Sequence, residues 1–309
     1  QQYAGASSDD LTKLYYWCDR GRYKIRTGVR LTTEFVVDFA PTADNDSYAD
    51  APLWQNPLFA ACAPQWYCSS GAFGPMVPRS AGSFDVYEKN LDAAFRAFIL
   101  RRDSVREFGF MNFGDWFGER KYNWGNIEYD TQWALAANFA RTGNLDMLWR
   151  AEEAESHNAD VDTKHYGAAV GEVWAHCTGH TGGYFPRSWK NMTLFNEGVS
   201  GTGHTWCSGH FILYGLTGER RYLETGCKIA DRLAQGTTDF QYYAERNIGW
   251  PIVALMGAHG TSSNPFYING AKLMADMAMW TQSPDTGGWG HWIDTNECRH
   301  GAHCWGCKT

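Results

Sequence analysis

Thr131-Gln132-Trp133-Ala134-Leu135-Ala136-Ala137-Asn138-Phe139-Ala140-Arg141-Thr142-Gly143-Asn144-Leu145-Asp146-Met147-Leu148-Trp149 reads as two helices and the turn between them. The first part has a helical composition. Thr142-Gly143-Asn144 ends it and caps the next helix, on which Leu145, Leu148 and Trp149 supply an apolar face. The construction recurs. A helix over about 204–216 ends at Thr217-Gly218-Glu219, and another follows over about 220–234. A third pair covers about 245–258 and 265–281. Repeated αα-hairpins with tight, glycine-containing turns and long aromatic-rich loops between them predict a mainly α fold, an α/α toroid. In that geometry the N-terminal ends of the helices near 126, 204 and 246 face a common cleft. An ordinary multi-helix bundle is the structural alternative.

Outward from the hairpins, helical periodicity begins at residue 83, with Tyr87, Leu91, Phe95, Phe98 and Ile99 on one face. Residues 23–40 read as strands, because Thr32 to Phe39 is β-branched and aromatic. Residues 41–82 read as a long ordered connection, since Trp54, Phe59, Trp66, Tyr67 and Phe73 want burial. The expected division is therefore a β element and connection over 1–82, and the helical domain over 83–309. Gly301-Ala302-His303-Cys304-Trp305 resembles Gly203-His204-Thr205-Trp206 and reads as the start of another inner helix, so the ring looks incomplete. A further chain or segment is expected to complete it.

The 309 residues carry a net charge of −7, which argues against a general nucleic-acid or membrane-surface binder. No apolar stretch approaches the length of a membrane span. Cys62 and Cys68 flank a short aromatic loop that a disulfide would close. Asn45-Asp46-Ser47 and Asn191-Met192-Thr193 match the glycosylation acceptor pattern. These features are consistent with a secreted or periplasmic protein. An odd number of cysteines, nine, leaves one thiol free or paired outside the chain.

Residues 114–130 place Trp116, Tyr122 and Trp124 among carboxylates, amides and Arg120. A sugar has an apolar C–H face and a polar hydroxyl rim, so rings interleaved with hydrogen-bonding groups suit a carbohydrate cleft. The same composition also seals helix bundles. Further along, Gly179-His180-Thr181-Gly182-Gly183-Tyr184 has three glycines that allow close approach to a ligand, and His204 opens an inner helix.

Residues 114–130 and 157–162, Gly179–Tyr184 and Gly203-His204-Thr205-Trp206 together resemble the exo-type rhamnogalacturonan lyases and their uncharacterised bacterial relatives. The likeness runs in order over roughly residues 25–309. It implies a β-sandwich ahead of an α/α toroid, β-elimination of pectic backbone sugars, and a chain much longer than this one. This sequence looks like the tail of the sandwich and most of the toroid.

A polysaccharide lyase removes the C5 proton of a uronic acid and expels the C4 oxygen. It needs a base, an acid and a group that neutralises the substrate carboxylate. His180 or His204 is the expected base and Tyr184 the expected acid. Arg120, Asn126 and Arg246 are expected to handle the carboxylate, and Trp124 and Trp206 to stack on sugars. Glu128, Tyr129 and His210 complete the candidate substrate contacts. Each of these residues has a packing or capping reading beside the functional one.

No cofactor is firmly implied. A divalent cation, Ca or Zn, has two candidate locations: the tract of Cys298, His300, His303, Cys304 and Cys307, and the group His157, Asp160, Asp162 and His165. No nucleotide-binding fingerprint is visible. Two other functions fit the pattern. A glycoside hydrolase would need opposed carboxylates, for which Asp115, Glu119, Glu128 and Asp130 are candidates. A non-catalytic glycan-binding or structural protein would keep the aromatic platforms without the base.

Overall fold

The computed structural model describes residues 27–35, 37, 39, 58–80, 82–105, 116–119, 123–125, 127, 129–174, 202–236 and 245–288. It is mainly helical. Helix α1 spans Pro64–Ser70 and α2 spans Asp85–Val105. A short antiparallel ribbon follows, β1 (Trp116–Glu119) and β2 (Asn123–Gly125), with Trp116 opposite Gly125 and Phe117 opposite Trp124. Then come α3 (Thr131–Thr142) and α4 (Leu145–His157), the latter running into a π-helical turn, Asn158–Asp162. A 3₁₀ turn, Thr202–His204, precedes α5 (Ser208–Thr217) and α6 (Arg220–Gln235). The last pair is α7 (Glu245–Ser262) and α8 (Pro265–Thr281). Among the described residues no helix is long and apolar enough to cross a membrane.

The three expected hairpins are α3/α4, α5/α6 and α7/α8. Their turns share one chemistry. Thr142, Thr217 and Ser262 each donate a hydroxyl to the carbonyl four residues back, and the same oxygen accepts from the backbone N–H two residues on. Between them Gly143, Gly218 and Ser263 take left-handed backbone with φ of +74°, +75° and +55°. Each returns its N–H to a carbonyl of the last turn, Phe139, Tyr214 and His259 respectively. The next residue caps the following helix: Asn144, Glu219 and Asn264 accept from the N–H of Asp146, Arg221 and Phe266. Orphan groups at both helix ends are thus satisfied within five residues. Ser263 alone carries a side chain at the left-handed position. Ser263→Gly is expected to raise the unfolding free energy by about 1 kcal/mol, read as a higher denaturation midpoint in urea.

The first helices pack side by side, α3 on α5 and α5 on α7, while each second helix covers its own partner and α6 also touches α7 and α8. Helix α5 is the hinge of the packing. Its Leu213 joins Phe139, Met147, Leu148 and Tyr222 in one core, and its Phe211 joins Ile229, Leu233, Leu255 and Tyr267 in another.

Several elements differ from the sequence reading. Helix α3 begins at Thr131, the first residue of the helical stretch in the sequence, and does not reach back to 126, because Ile127, Tyr129 and Asp130 all have positive φ. The 58–80 part of the connection is ordered, with Tyr67 and Phe73 buried and Phe59 set edge-on to Phe139 and Trp149. It also contains helix α1, which the composition concealed. Cys62 and Cys68 are free thiols rather than a disulfide; the peptide between them is helical, and the Cys62 N–H is held by the Tyr67 hydroxyl. The described residues of 27–39 form no strand ladder. Their bonds go elsewhere: Arg30 and Thr32 bind Asp160 of the π turn, and the Gly28 carbonyl accepts from His165 N. Residues 23–26, Trp54 and the two glycosylation acceptors, Asn45 and Asn191, lie outside the described residues.

Candidate functional site

The sequence sends three chain segments to one place, the N-terminal ends of α3, α5 and α7. Tyr129 ends the loop before α3. His204 and Trp206 lie just ahead of α5. Arg246 and Trp250 occupy the first turns of α7. The Tyr129 ring lies 6.1 Å from Trp206 and 6.0 Å from Trp250, and those two indoles are 5.7 Å apart, edge to face. His204 meets Trp206 edge-on at 5.7 Å. Such pairs contribute beyond simple burial, on the order of 1 kcal/mol each. Tyr129 is 60% exposed, whereas Trp206 is 3% exposed. Tyr129 therefore presents the open ring and Trp206 supports it. Arg246 Nε donates to the Gly203 carbonyl at 3.1 Å, tying α7 to the 3₁₀ turn. Its Nη2 is buried without a hydrogen-bond partner. Gly203 permits this approach, since a Cβ there would meet Asn247 Oδ1 at 2.1 Å and Arg246 Cγ at 3.2 Å.

Beneath this cluster lies a polar floor. The Asp130 carboxylate accepts from the backbone N–H of Ser208 at 2.9 Å and of Gly209 at 3.1 Å. It thus caps α5 from the loop ahead of α3, and there a carboxylate also meets the positive end of the dipole. Glu155 on α4 and His210 on α5 are fully buried and paired through Oε1 and Nδ1. Burial, and then the Glu155 carboxylate, push Asp130 up to about 7, against the opposing pull of His210 and the two N–H donors. Gln132 is fully buried beside them with no partner for its amide. His157 Nε2 stands 3.5 Å from Asp162 Oδ1, and the Asn158 amide donates to the Trp206 carbonyl at 3.4 Å. The loop above is strained: Ile127, Tyr129 and Asp130 have φ of +42°, +62° and +60°. Left-handed backbone costs non-glycine residues on the order of 1–2 kcal/mol each. Burial of Ile127 and the two Asp130 bonds offset that cost.

Of the expected site residues, the structure brings Tyr129, His204, Trp206 and Arg246 together. His210 is not at the surface of the cluster. It is sealed in the floor against Glu155, so its place is support rather than substrate contact. Asp130 also faces inward, which removes it from any pair of opposed cleft carboxylates. Trp124 is described through its backbone in β2. His180, Tyr184, Arg120, Asn126 and Glu128 lie outside the described residues, as do His176, Arg187, Asp115 and the Cys298–His303–Cys307 tract. Trp250 and Glu155 were missed. Trp250 sits in an apolar helical run and reads as core. Glu155 had a usable signal: it falls four residues after Ala151 and seven after Leu148, on the buried stripe of α4.

The second cation location is taken up by other partners. Asp160 binds Arg30 and Thr32, and His165 Nε2 faces the Ala159 carbonyl. Burial, and then Arg30, push His165 down to about 4. Among the described residues no group of three or more His, Cys, Asp or Glu side chains is arranged to hold a metal.

No protein-family model matches the chain. It is similar to the uncharacterised protein YetA of Bacillus subtilis (strain 168), with 28% identity over 173 residues, half of this chain. That match covers 20% of YetA, so this chain spans well under two thirds of the length of the relative it matches.

Proposed function

We propose that this chain is the helical part of a secreted polysaccharide lyase that cleaves a uronate-containing glycan of the rhamnogalacturonan kind by β-elimination. The observation that supports this reading is the convergence of Tyr129, His204, Trp206, Arg246 and Trp250 at the N-terminal ends of three successive first helices. Tyr129 offers an open ring to the C–H face of a sugar. Arg246 brings a guanidinium nitrogen without a partner, suited to a carboxylate. His204 takes the C5 proton, the C–H electron pair becomes the C4–C5 double bond, and the C4–O bond breaks. Tyr184 returns a proton to the leaving oxygen. The finer architecture in this reading is an α/α toroid. The last hairpin supports it: Val253 and Met256 on α7 and Leu273 and Trp280 on α8 are exposed. Apolar side chains exposed on a hairpin are suited to stacking against another one, as in an array of repeats.

Incubation with rhamnogalacturonan and other polyuronides is expected to produce the ultraviolet absorbance of an unsaturated uronate. His204→Ala is expected to lower the rate by about 10²–10⁴-fold, the usual contribution of a general base. New reducing ends without that absorbance would replace the lyase with a hydrolase. Bound glycan with neither product would leave a binding protein.

A further inference from the structure

We propose that Asp130 is a proton-dependent anchor that sets the position of Tyr129 against Trp206 and Trp250. The geometry couples the two ends of the cluster through one carboxylate. Tyr129, pointing out, and Asp130, pointing in, are adjacent residues that both hold left-handed backbone. Asp130 grips Ser208 N and Gly209 N, two and three residues beyond Trp206. One side chain therefore fixes Tyr129 on one segment relative to Trp206 on the other. A strained loop held by a small number of bonds is suited to relax when one of them weakens.

The surroundings of Asp130 decide the direction. From α4 it is faced by Glu155, from α5 by His210, and just ahead of α5 by Cys207. Both Asp130 Oδ1 and Glu155 Oε2 lie within 2.8 Å of the point a Gly209 Cβ would occupy. Glu155 Oε2 has no hydrogen-bond partner. Ionised, Asp130 accepts from both N–H groups. Protonated, it becomes a donor facing a carboxylate with an open acceptor, and its hold on Ser208 and Gly209 weakens. Burial beside Glu155 brings that change to about neutral pH. The clamp is therefore tight on the alkaline side and loosened on the acid side. None of this requires that the cluster bind a glycan.

The test is tryptophan fluorescence of the ligand-free protein from pH 5 to 9, with far-ultraviolet circular dichroism to establish that the fold persists. The expected result is a sigmoidal change centred near neutrality. Its amplitude falls in Trp250→Phe, and it disappears in Asp130→Asn and in Tyr129→Ala. It persists in His204→Gln, which separates it from quenching of Trp206 by the neighbouring imidazole. Tyr129 is exposed, so Tyr129→Ala decides the matter if Asp130→Asn does not fold. A flat profile in the folded wild type, a transition that survives Tyr129→Ala, or one that vanishes in His204→Gln would overturn the proposal. Because no glycan is present, failure of the lyase reading leaves the result unaffected.

Discussion

Gly209→Ala is expected to lower the unfolding free energy by about 3 kcal/mol or more, at the upper end of overpacking effects. A Cβ at this position would lie 2.2 Å from Gln132 Cγ, 2.8 Å from Asp130 Oδ1 and 2.8 Å from Glu155 Oε2. All three neighbours are buried, Gln132 on α3, Glu155 on α4 and Asp130 in the loop ahead of α3, so none can swing into solvent. The methyl group fits only if α5 lifts away from α3 and α4. That movement breaks the two bonds from Ser208 and Gly209 to Asp130 and separates buried polar groups that have no other partner. Gly215→Ala on the same helix is the control. Its Cβ would meet nothing within 4 Å, and it is expected to stabilise by roughly 0.5–1 kcal/mol through helix propensity. Paired urea titrations measure both. A Gly209→Ala protein as stable as the wild type would mean that the polar floor is not packed as described.

Asp160→Ala is expected to have a comparable effect, a loss of about 3 kcal/mol, through a different mechanism. Asp160 accepts from Arg30 Nε at 3.0 Å, from Thr32 N at 2.8 Å and from Thr32 Oγ1 at 3.0 Å, and Arg221 stands 3.8 Å away. Removing it leaves Arg30 Nε and the Thr32 N–H and hydroxyl without their acceptor, and takes away the carboxylate that faces Arg221. Among the described residues, the segment 27–35 then keeps the Arg30 bonds to the Asp160 and Ala159 carbonyls and to Thr225, and the one from His165 N to Gly28. Thermal melts read the stability loss, and limited proteolysis reads release of the segment, as cleavage after Arg26 or Arg30. Asp160→Asn, which keeps an acceptor but no charge, should fall between. An unchanged melt with an unchanged cleavage pattern would show that the segment is held by something other than Asp160.

The three hairpins were legible because their turns are closed by neighbouring residues. Thr142-Gly143-Asn144 and Thr217-Gly218-Glu219 each contain a helix stop, a left-handed residue and the next cap, so sequence alone carries the information. The left-handed residues ahead of α3 were not legible, since nothing in Ile127, Tyr129 or Asp130 announces positive φ; Asp130 adopts it where its carboxylate caps a helix 78 residues away. Residues 23–40 read as strands from the β-branched and aromatic run Thr32 to Phe39. The described part, 27–35, bonds instead to Asp160 of the π turn and to His165 just after it, and only tertiary structure reveals that. In the site, residues at helix starts could be placed by counting from the turns, and Tyr129, His204, Trp206 and Arg246 do meet. His210 and Glu155 could not be assigned to the interior by type, because charged residues are rarely buried unless paired. Their pairing is a property of two helices in contact.

The contrast between the turns and the Asp160 clamp bears on how the chain folds. Each hairpin closes through bonds spanning at most five residues, so helix pairs can form locally and early, on the microsecond scale of such events. The clamp joins Arg30 to Asp160, a sequence separation of 130 residues. Loop closure on that scale rewards the chain only after the helices that present Asp160 are in place. During synthesis the residues around Arg30 emerge 130 residues ahead of Asp160 and must wait for it. For that interval the segment carries Leu31, Phe35, Val37 and Phe39, which stay exposed even in the folded protein, without the clamp that holds it to the helices.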